Sequence, residues 1–193
     1  MCQGIWLGGS TYEFLKGEAV HWVMHCDMQY PVDSFDLAKR LGFKIISYDE
    51  LDEEQRAAAY ETSEDAFFID KDGEITIFYN NNMSPERIEN SVIHEVSHSV
   101  LDHGIDESRK DIEETEAKFF TKYLKAPPPL IHQLPIISID SIKIAFKLSI
   151  EAAEYAFNYY QKWLKKFDGN YKEYEIKLLK HCGFDKEVNK KAS

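Results

Sequence analysis

The sequence predicts an α+β fold that is mainly helical and contains a small β-sheet of about three strands. Apolar residues recur at helical spacing along most of the chain, whereas β-branched and aromatic runs are concentrated between residues 43 and 79. The chain has 193 residues, and 44% of them are hydrophobic, which is enough for one substantial core. We therefore expect residues 1–127 to form the core of the domain. Residues 128–193 are expected to form a helical extension packed on that core, in the same domain.

Three short segments supply the predicted sheet. Residues 43–48, 66–69 and 74–79 are rich in β-branched and aromatic residues. Asp72 and Gly73, between the last two segments, suit the tight turn of a β-hairpin. We therefore expect a hairpin and one further strand. The acidic stretch between the first two segments is expected to be a surface loop or a short helix.

A helix is predicted to begin shortly after the sheet. Ser84 can cap it, Pro85 suits the first helical position, and Glu86 lies at the positive end of the helix dipole. Gly104 can end it. The face that packs on the core is predicted by an apolar stripe of Ile88, Val92, Val96 and Val100.

The opposite face of this helix carries the pattern His-Glu-x-x-His at His94, Glu95 and His98. Residues four apart on a helix share one face, so the two imidazoles can bind one metal ion. Glu95 is offset by one position, where it can reach a water on that metal and act as a general base. Random order gives this pattern roughly 0.03 times in such a chain. The alternative interpretation is two ordinary histidines on a helix.

The site needs a third protein ligand, because a tetrahedral catalytic zinc site holds three protein ligands and a water. A His-x-x-Gly-x-x-His arrangement is missing, since Leu101 and Gly104 take the positions of its Gly and last His. His103 falls on the apolar-stripe side for as long as the helix continues, and there it cannot join the pair. The remaining common solution is a glutamate from a later helix, predicted over residues 111–125.

Three glutamates of that later helix, Glu113, Glu114 and Glu116, compete for the ligand role. On a helical wheel Glu114 points to the solvent side and Glu113 to the edge of the apolar face, whereas Glu116 falls in the middle of that face. A carboxylate aimed into a core is costly unless it is neutralised, paired or bound to a metal. We therefore assign Glu116 as the third ligand, ahead of Glu113. The alternative is a buried Glu116 that pairs with an Arg or Lys.

A second histidine pair, His21 and His25, has the same spacing. It lies in a predicted helix over residues 11–28 and is followed by Cys26. No glutamate occupies the base position, and the segment is rich in aromatic residues, so we interpret the pair as incidental histidines on a helix face. The cysteines form neither a disulfide framework nor a zinc pattern, and we expect free thiols at Cys2, Cys26 and Cys182.

The formal net charge of −11 argues against direct nucleic-acid binding, because an acidic surface repels phosphate. The N-terminus lacks a basic region followed by a long apolar run, and nowhere are there eighteen consecutive apolar residues. We therefore expect a cytoplasmic protein that does not span a membrane. Its partner is expected to be a basic protein or a small substrate.

The C-terminal part of the chain is predicted to be helical. Prolines at positions 127–129 end the helix that carries the glutamates. After an irregular stretch, residues 141–147 and 149–167 read as two helices, the second capped by Ser149. Residues 168–193 are expected to hold one more helix.

Together these segments resemble the ImmA/IrrE family of metallo-endopeptidases. Residues 94–98 match the family's His-Glu-Leu-Gly-His, with Ser97 where Gly is usual. Residues 116–120 match its Glu-Ala-Asn-x-Phe segment, with Lys118 in place of Asn. Residues 31–42 resemble the family's early helix.

The resemblance implies a zincin-like fold with Zn²⁺ held by His94, His98 and Glu116, and with Glu95 as the catalytic acid/base. Characterised members of the family cleave repressor-type DNA-binding regulators of bacteria, phages and mobile elements. A regulator of that type is therefore the expected protein substrate. The implied activity is that of a zinc-dependent endopeptidase.

Other assignments stay open at the level of the sequence. The donor that stabilises the oxyanion is expected among His103, Tyr123 and His132. The rival function is a regulatory binding protein that retains the zinc site as structure or sensor and cleaves nothing. A third interpretation is a peptidase that acts on small peptides.

Overall fold

The structure is a computed structural model that describes residues 7–104 and 107–184, and it confirms the α+β class. Two 3-10 turns, Tyr48–Glu50 and Glu107–Arg109, lie within this part of the chain. The helices and strands are α1 (Gly9–His25), α2 (Ser34–Arg40), β1 (Lys44–Ser47), α3 (Glu53–Thr62), β2 (Ala66–Lys71), β3 (Glu74–Tyr79), α4 (Pro85–Val100), α5 (Lys110–Lys125), α6 (Pro128–Ile131), α7 (Ile139–Phe146), α8 (Ile150–Leu164) and α9 (Glu173–His181).

The sheet has three strands in the order β1-β3-β2, as predicted in number. β1 runs parallel to β3, and β2 pairs with β3 in an antiparallel hairpin. Asp72 and Gly73 form the turn with φ angles of 56° and 84°, which is the left-handed region that a two-residue hairpin turn requires. Ile77 on the central strand is fully buried. The acidic stretch before β2 contains the short helix α3.

The chain divides into two compact units. Of the described residues, 33–121 form the first unit, and 7–32 with 122–184 form the second. The structure groups α1 with the C-terminal helices, and the predicted division at residue 127 within one domain stays a prediction. The reason for this grouping is that α1 packs on α9, and contact between such distant segments leaves no mark on the local hydrophobic pattern.

In the first unit, α4 packs against α2 and against the sheet. Its predicted start is confirmed, since Ser84 Oγ accepts a hydrogen bond from the Arg87 amide at 3.3 Å and Pro85 is the first helical residue. Val92 and Val96 of the predicted stripe are buried. The apolar side of α4 therefore faces the core, and its other side is available for chemistry.

In the second unit, α1 packs on α9, and α7 packs on α8. The two helices predicted after the prolines are α7 and α8, and Ser149 caps α8 by accepting from the Ala152 amide at 3.2 Å. The stretch expected to be irregular contains the short helix α6. Residues 185–193, the last part of the predicted C-terminal segment, lie outside the described residues.

Across the described stretches 7–104 and 107–184, no helix has both the length and the apolar character needed to cross a bilayer.

Of the predicted free thiols, Cys26 and Cys182 form no disulfide. Cys2 lies outside the described residues.

Candidate metal centre

Helix α4 brings His94 and His98 together as their spacing predicts. Their Nε2 atoms lie 3.1 Å apart, and the two rings are inclined at 84° with centroids 4.7 Å apart. Only 19% and 14% of the two side chains are exposed. The two nitrogens therefore converge on one point.

Helix α5 adds the carboxylate of Glu114 to this pair. Glu114 Oε1 lies 3.2 Å from His98 Nε2, and Oε2 lies 3.6 Å from His94 Nε2. One donor atom from each of the three residues lies within 4.8 Å of the others. This set of two imidazoles and one carboxylate matches the ligands of a catalytic zinc site.

The carboxylate beside the histidines is thus Glu114, whereas the sequence had favoured Glu116. Glu116 Oε2 lies 3.2 Å from His103 Nε2 and 3.9 Å from a guanidinium nitrogen of Arg109. The helical wheel placed Glu116 correctly on an inward-facing side, since its side chain is only 13% exposed. In this structure the side chain of Glu116 contacts His103 instead of His94 and His98, and its assignment as the third metal ligand stays a prediction. A buried carboxylate can be compensated by other partners, and this one contacts a histidine and an arginine.

Glu113, the runner-up for the ligand role, has a different partner. Its Oε2 accepts a hydrogen bond at 2.9 Å from the amide of Gly104, and the residue is buried. It therefore anchors the segment that follows α4. The three glutamates of α5 occupy three different environments, and only Glu114 reaches His94 and His98.

His103 returns to the histidine pair because α4 ends earlier than Gly104. The last helical residue is Val100, and Asp102 adopts a left-handed φ of 56°. The His103 amide donates to the His98 carbonyl at 3.0 Å, and its Nδ1 lies 3.1 Å from His98 Nδ1. The sequence had set His103 aside for as long as the helix continued. The helix stops, so that argument no longer applies.

The three side chains of this candidate site have the protonation states that metal ligands need. Burial and the nearby His94 lower the pKa of His98 to about 4, and burial also lowers the pKa of His94. Burial opposes ionisation of Glu114, but the hydrogen bond from Lys118 and the adjacent His94 outweigh it and lower its pKa. Near pH 7 the site therefore offers two neutral imidazoles and one carboxylate.

Glu95 lies beside this centre and has a different character. Burial and the neighbouring Glu114 carboxylate raise the pKa of Glu95 to about 8, against the effect of a backbone hydrogen bond from Phe68. A carboxyl whose pKa is close to the working pH can both take up and release a proton. Burial thus makes the Glu95 carboxyl hold its proton more tightly than an exposed glutamate would.

A buried hydroxyl pair joins α4 to α5 below the site. Ser97 Oγ donates to the Ile93 carbonyl at 2.7 Å and lies 2.8 Å from Thr121 Oγ1. Both residues are almost completely buried. Ser97 stands where the ImmA/IrrE motif usually has Gly, and here its hydroxyl links the two helices that carry the site.

Two of the proposed oxyanion donors, Tyr123 and His132, belong to the second unit. Burial raises the pKa of Tyr123 far above its ordinary value, and His132 Nδ1 lies 2.9 Å from the Tyr160 hydroxyl. The assignment of an oxyanion donor among His103, Tyr123 and His132 stays a prediction.

The second histidine pair gathers no comparable partners. His21 and His25 are exposed, and their rings stack at 20° with centroids 5.7 Å apart. Among the residues that the structure describes, no acidic or cysteine side chain completes a group of three donors with them. The interpretation of the pair as incidental histidines on the face of α1 stays a prediction.

A helical domain with a small sheet, a His-Glu-x-x-His helix and a carboxylate from a following helix defines a class of metallopeptidases. The chain belongs to one family in that class, the peptidase family described as the IrrE N-terminal-like domain, whose profile matches residues 38–158. The match includes α4, α5 and most of α8. No curated protein and no solved structure matches the chain significantly.

Proposed function

We propose that this chain is a zinc-dependent endopeptidase that hydrolyses a peptide bond in a protein substrate. The observation that carries the proposal is the convergence of His94, His98 and Glu114 on one point, with Glu95 beside them. Two imidazole nitrogens and a carboxylate favour zinc over the hard cations magnesium and calcium. These three residues would hold the ion, and Glu95 would not be a ligand.

A divalent cation bound there supplies Lewis-acid activation of water and of the scissile carbonyl. Glu95 takes the proton from the attacking water and returns it to the leaving amine. Burial raises its pKa to about 8, and a cation nearby lowers the pKa of a carboxyl toward the value that a general base needs near neutral pH. The same side chain can therefore serve both proton transfers.

An extended substrate segment can be aligned along the outer edge of β2. The pair Lys71–Glu74 flanks the two-residue turn, so alternate residues from Lys71 backwards bond to β3. The backbone groups of Phe68 and Asp70 consequently point away from β3. The Phe68 amide donates to Glu95, so the free edge of this strand adjoins the proposed acid/base. Strand addition at that edge would place a peptide backbone beside Glu95.

The proposed substrate is a repressor-type DNA-binding regulator of a phage or mobile element. Two observations support it: the similarity to the ImmA/IrrE family, and the net charge of −11, which favours a basic protein partner. Regulators that bind DNA are cytoplasmic in bacteria, so we place the activity in that compartment.

The decisive experiment combines the purified chain with a purified candidate repressor from the same genome and follows cleavage on a gel. We expect cleavage by the wild-type chain and none after a chelator is added. Glu95→Gln should slow cleavage by at least about 10²–10⁴-fold, because the amide cannot accept the proton. Zinc content should stay unchanged, since Glu95 is not a ligand.

The matched control is Glu86→Gln, an exposed position in the first turn of the same helix. It should cleave at the wild-type rate. If Glu95→Gln still relieves repression as well as the wild type, the chain acts by binding and the peptidase proposal fails. If only short peptides are cut and the repressor stays whole, the proposed substrate is wrong although the chemistry holds.

A further inference from the structure

A second histidine lies behind His98, on the side away from Glu114. The chain turns at Asp102, and His103 then bonds to His98 twice, through its amide to the His98 carbonyl and through Nδ1 to Nδ1 at 3.1 Å. The other nitrogen of His103, Nε2, lies 3.2 Å from Glu116 Oε2. His98, His103 and Glu116 thus form a continuous chain of contacts that ends in a carboxylate.

The carboxylate of Glu116 determines which nitrogen donates in each of these two contacts. An ionised carboxylate only accepts, so His103 Nε2 must carry a proton. A neutral imidazole has one N–H, and His103 Nδ1 is therefore an acceptor. The donor to it is then His98 Nδ1, which leaves the lone pair of His98 on Nε2. That is the nitrogen that faces Glu114 and His94.

The surroundings keep water away from these contacts. Only 5% of the His103 side chain and 13% of the Glu116 side chain are exposed. The guanidinium of Arg109 lies 3.9 Å from the same Glu116 oxygen that contacts His103, so a cation stands beside this carboxylate. Glu113 holds the Gly104 amide and thereby anchors the residue next to His103. Residues on both sides of the turn at Asp102 therefore hold these contacts in place.

We propose that Glu116 and His103 are positioning residues that orient His98 and direct its Nε2 lone pair to the metal. The proposal rests on the proposed function only in naming a metal as the recipient of that lone pair. A carboxylate behind a ligating histidine is a general means of fixing the tautomer and the ring orientation. Here the carboxylate acts through an intermediate imidazole, which lengthens the connection by one ring.

The first test is zinc affinity at pH 8, measured by competition with a chromophoric chelator. Glu116→Ala and His103→Phe should each weaken zinc binding about 10–100-fold. The double variant should lose no more than the larger single loss, because both changes break one chain of contacts. Glu116→Gln retains the shape and an acceptor oxygen without the charge, so its loss should be several-fold smaller. Thr115→Ala, between the two glutamates on α5, is the matched control and should bind zinc as the wild type does.

The second test reads the tautomer directly by ¹⁵N NMR of the histidine rings at pH 8. In the wild-type chain, with or without zinc, His103 should carry its proton on Nε2. In the zinc-loaded chain His98 should show a slowly exchanging Nδ1–H. Glu116→Ala should abolish the single tautomer of His103, and His103→Phe should make the His98 proton exchange fast. A merely structural role of these residues would leave the tautomers unchanged.

Two results overturn the proposal. One is a Glu116→Ala variant that folds and binds zinc within twofold of the wild type. The other is a wild-type His103 whose proton lies on Nδ1. A wild-type chain that binds no zinc would contradict the proposed function instead, and the tautomer of His103 would still test the role of Glu116. If Glu116→Ala does not fold, the Glu116→Gln comparison and the wild-type spectrum decide the question.

Discussion

The chain contains two histidine pairs of identical spacing, and the structure gives them opposite surroundings. His94 and His98 on α4 are largely buried, point their Nε2 atoms at each other and meet a carboxylate from α5. His21 and His25 on α1 are exposed and stack face to face. The i,i+4 spacing only brings two rings to one side of a helix. A metal site also needs a third donor from elsewhere in the fold and a place sheltered from water.

The largest expected contrast between the pairs is the loss of zinc when one ligand is removed. His98→Ala or Glu114→Ala should weaken zinc binding by more than about 100-fold, because each ligand of a zinc site accounts for roughly 3 kcal/mol of the binding free energy. His25→Ala should leave the affinity unchanged. Chelator competition measures all three. If His98→Ala and His25→Ala weakened zinc binding equally, the i,i+4 spacing alone would be enough for a zinc site.

A smaller effect is expected from supplying the exposed pair with the donor that it lacks. His21, His25 and Lys177 line one groove of about 470 Å³ between α1 and α9. Lys177→Glu would replace a cation by a carboxylate there. We expect this variant to bind zinc at His21 and His25 about tenfold more tightly than the unchanged pair does, although more weakly than the site on α4. Lys177→Gln, which removes the cation and adds no ligand, is the control. The stoichiometry of bound cobalt, read from its absorption spectrum, would report the new site.

The smallest expected effect concerns the stability of the fold. On α1 we expect the ionised carboxylate of Glu13 to stabilise the fold and not to bind metal. Glu13 contacts Lys16 at 2.8 Å, the Tyr174 hydroxyl at 3.0 Å, and also Lys172. Burial opposes ionisation, but hydrogen bonds from Lys16 and Lys172 prevail and lower the pKa of Glu13 to about 2. The pairs are partly exposed, so Glu13→Gln should cost only about 0.5–1 kcal/mol at pH 7.

The pH dependence of that cost has a definite sign. A depressed carboxyl pKa stabilises the fold above the unfolded value near 4.5, and the stabilisation is lost as the pH falls through about 2. The difference between wild type and Glu13→Gln should therefore shrink between pH 4.5 and pH 2. Urea unfolding at several pH values measures it, with Glu18→Gln on the same helix as control. A difference that grows toward acid pH would contradict the assignment.

Local chemistry allowed the sequence to predict the first half of the site. The cap at Ser84, the proline at the first helical position and the turn at Asp72–Gly73 are each determined by a few neighbouring residues. The spacing of His94 and His98 likewise fixes their common face. These features hold regardless of what the helix packs against, and the structure contains all of them.

The other part of the site is the carboxylate from α5. Its identity depends on which side of α5 packs against α4, and a helical wheel does not contain that information. The wheel places Glu116 on the inward-facing side and Glu114 near solvent, and both statements describe the helix correctly. The candidate site lies between the buried and the solvent-facing sides of α5, where the half-exposed Glu114 still reaches the two histidines. His103 reaches the histidine pair for a related reason. The left-handed turn at Asp102 ends α4 early, although aspartate is less typical than glycine at such a position.

The contact between the hydroxyls of Ser97 and Thr121 determines which charged residue of α5 lies beside His94 and His98. Glu114 is flanked on α5 by Lys110 and Lys118, one helical turn away on either side. A slide of α5 by a single turn, about 5.4 Å, would bring an ammonium group to the imidazoles and repel any cation. The residues that would then face Ser97, Ala117 or Lys125, have no hydroxyl. The bond between the two hydroxyls can therefore form in only one of the three registers, the one in which the histidines face an anion.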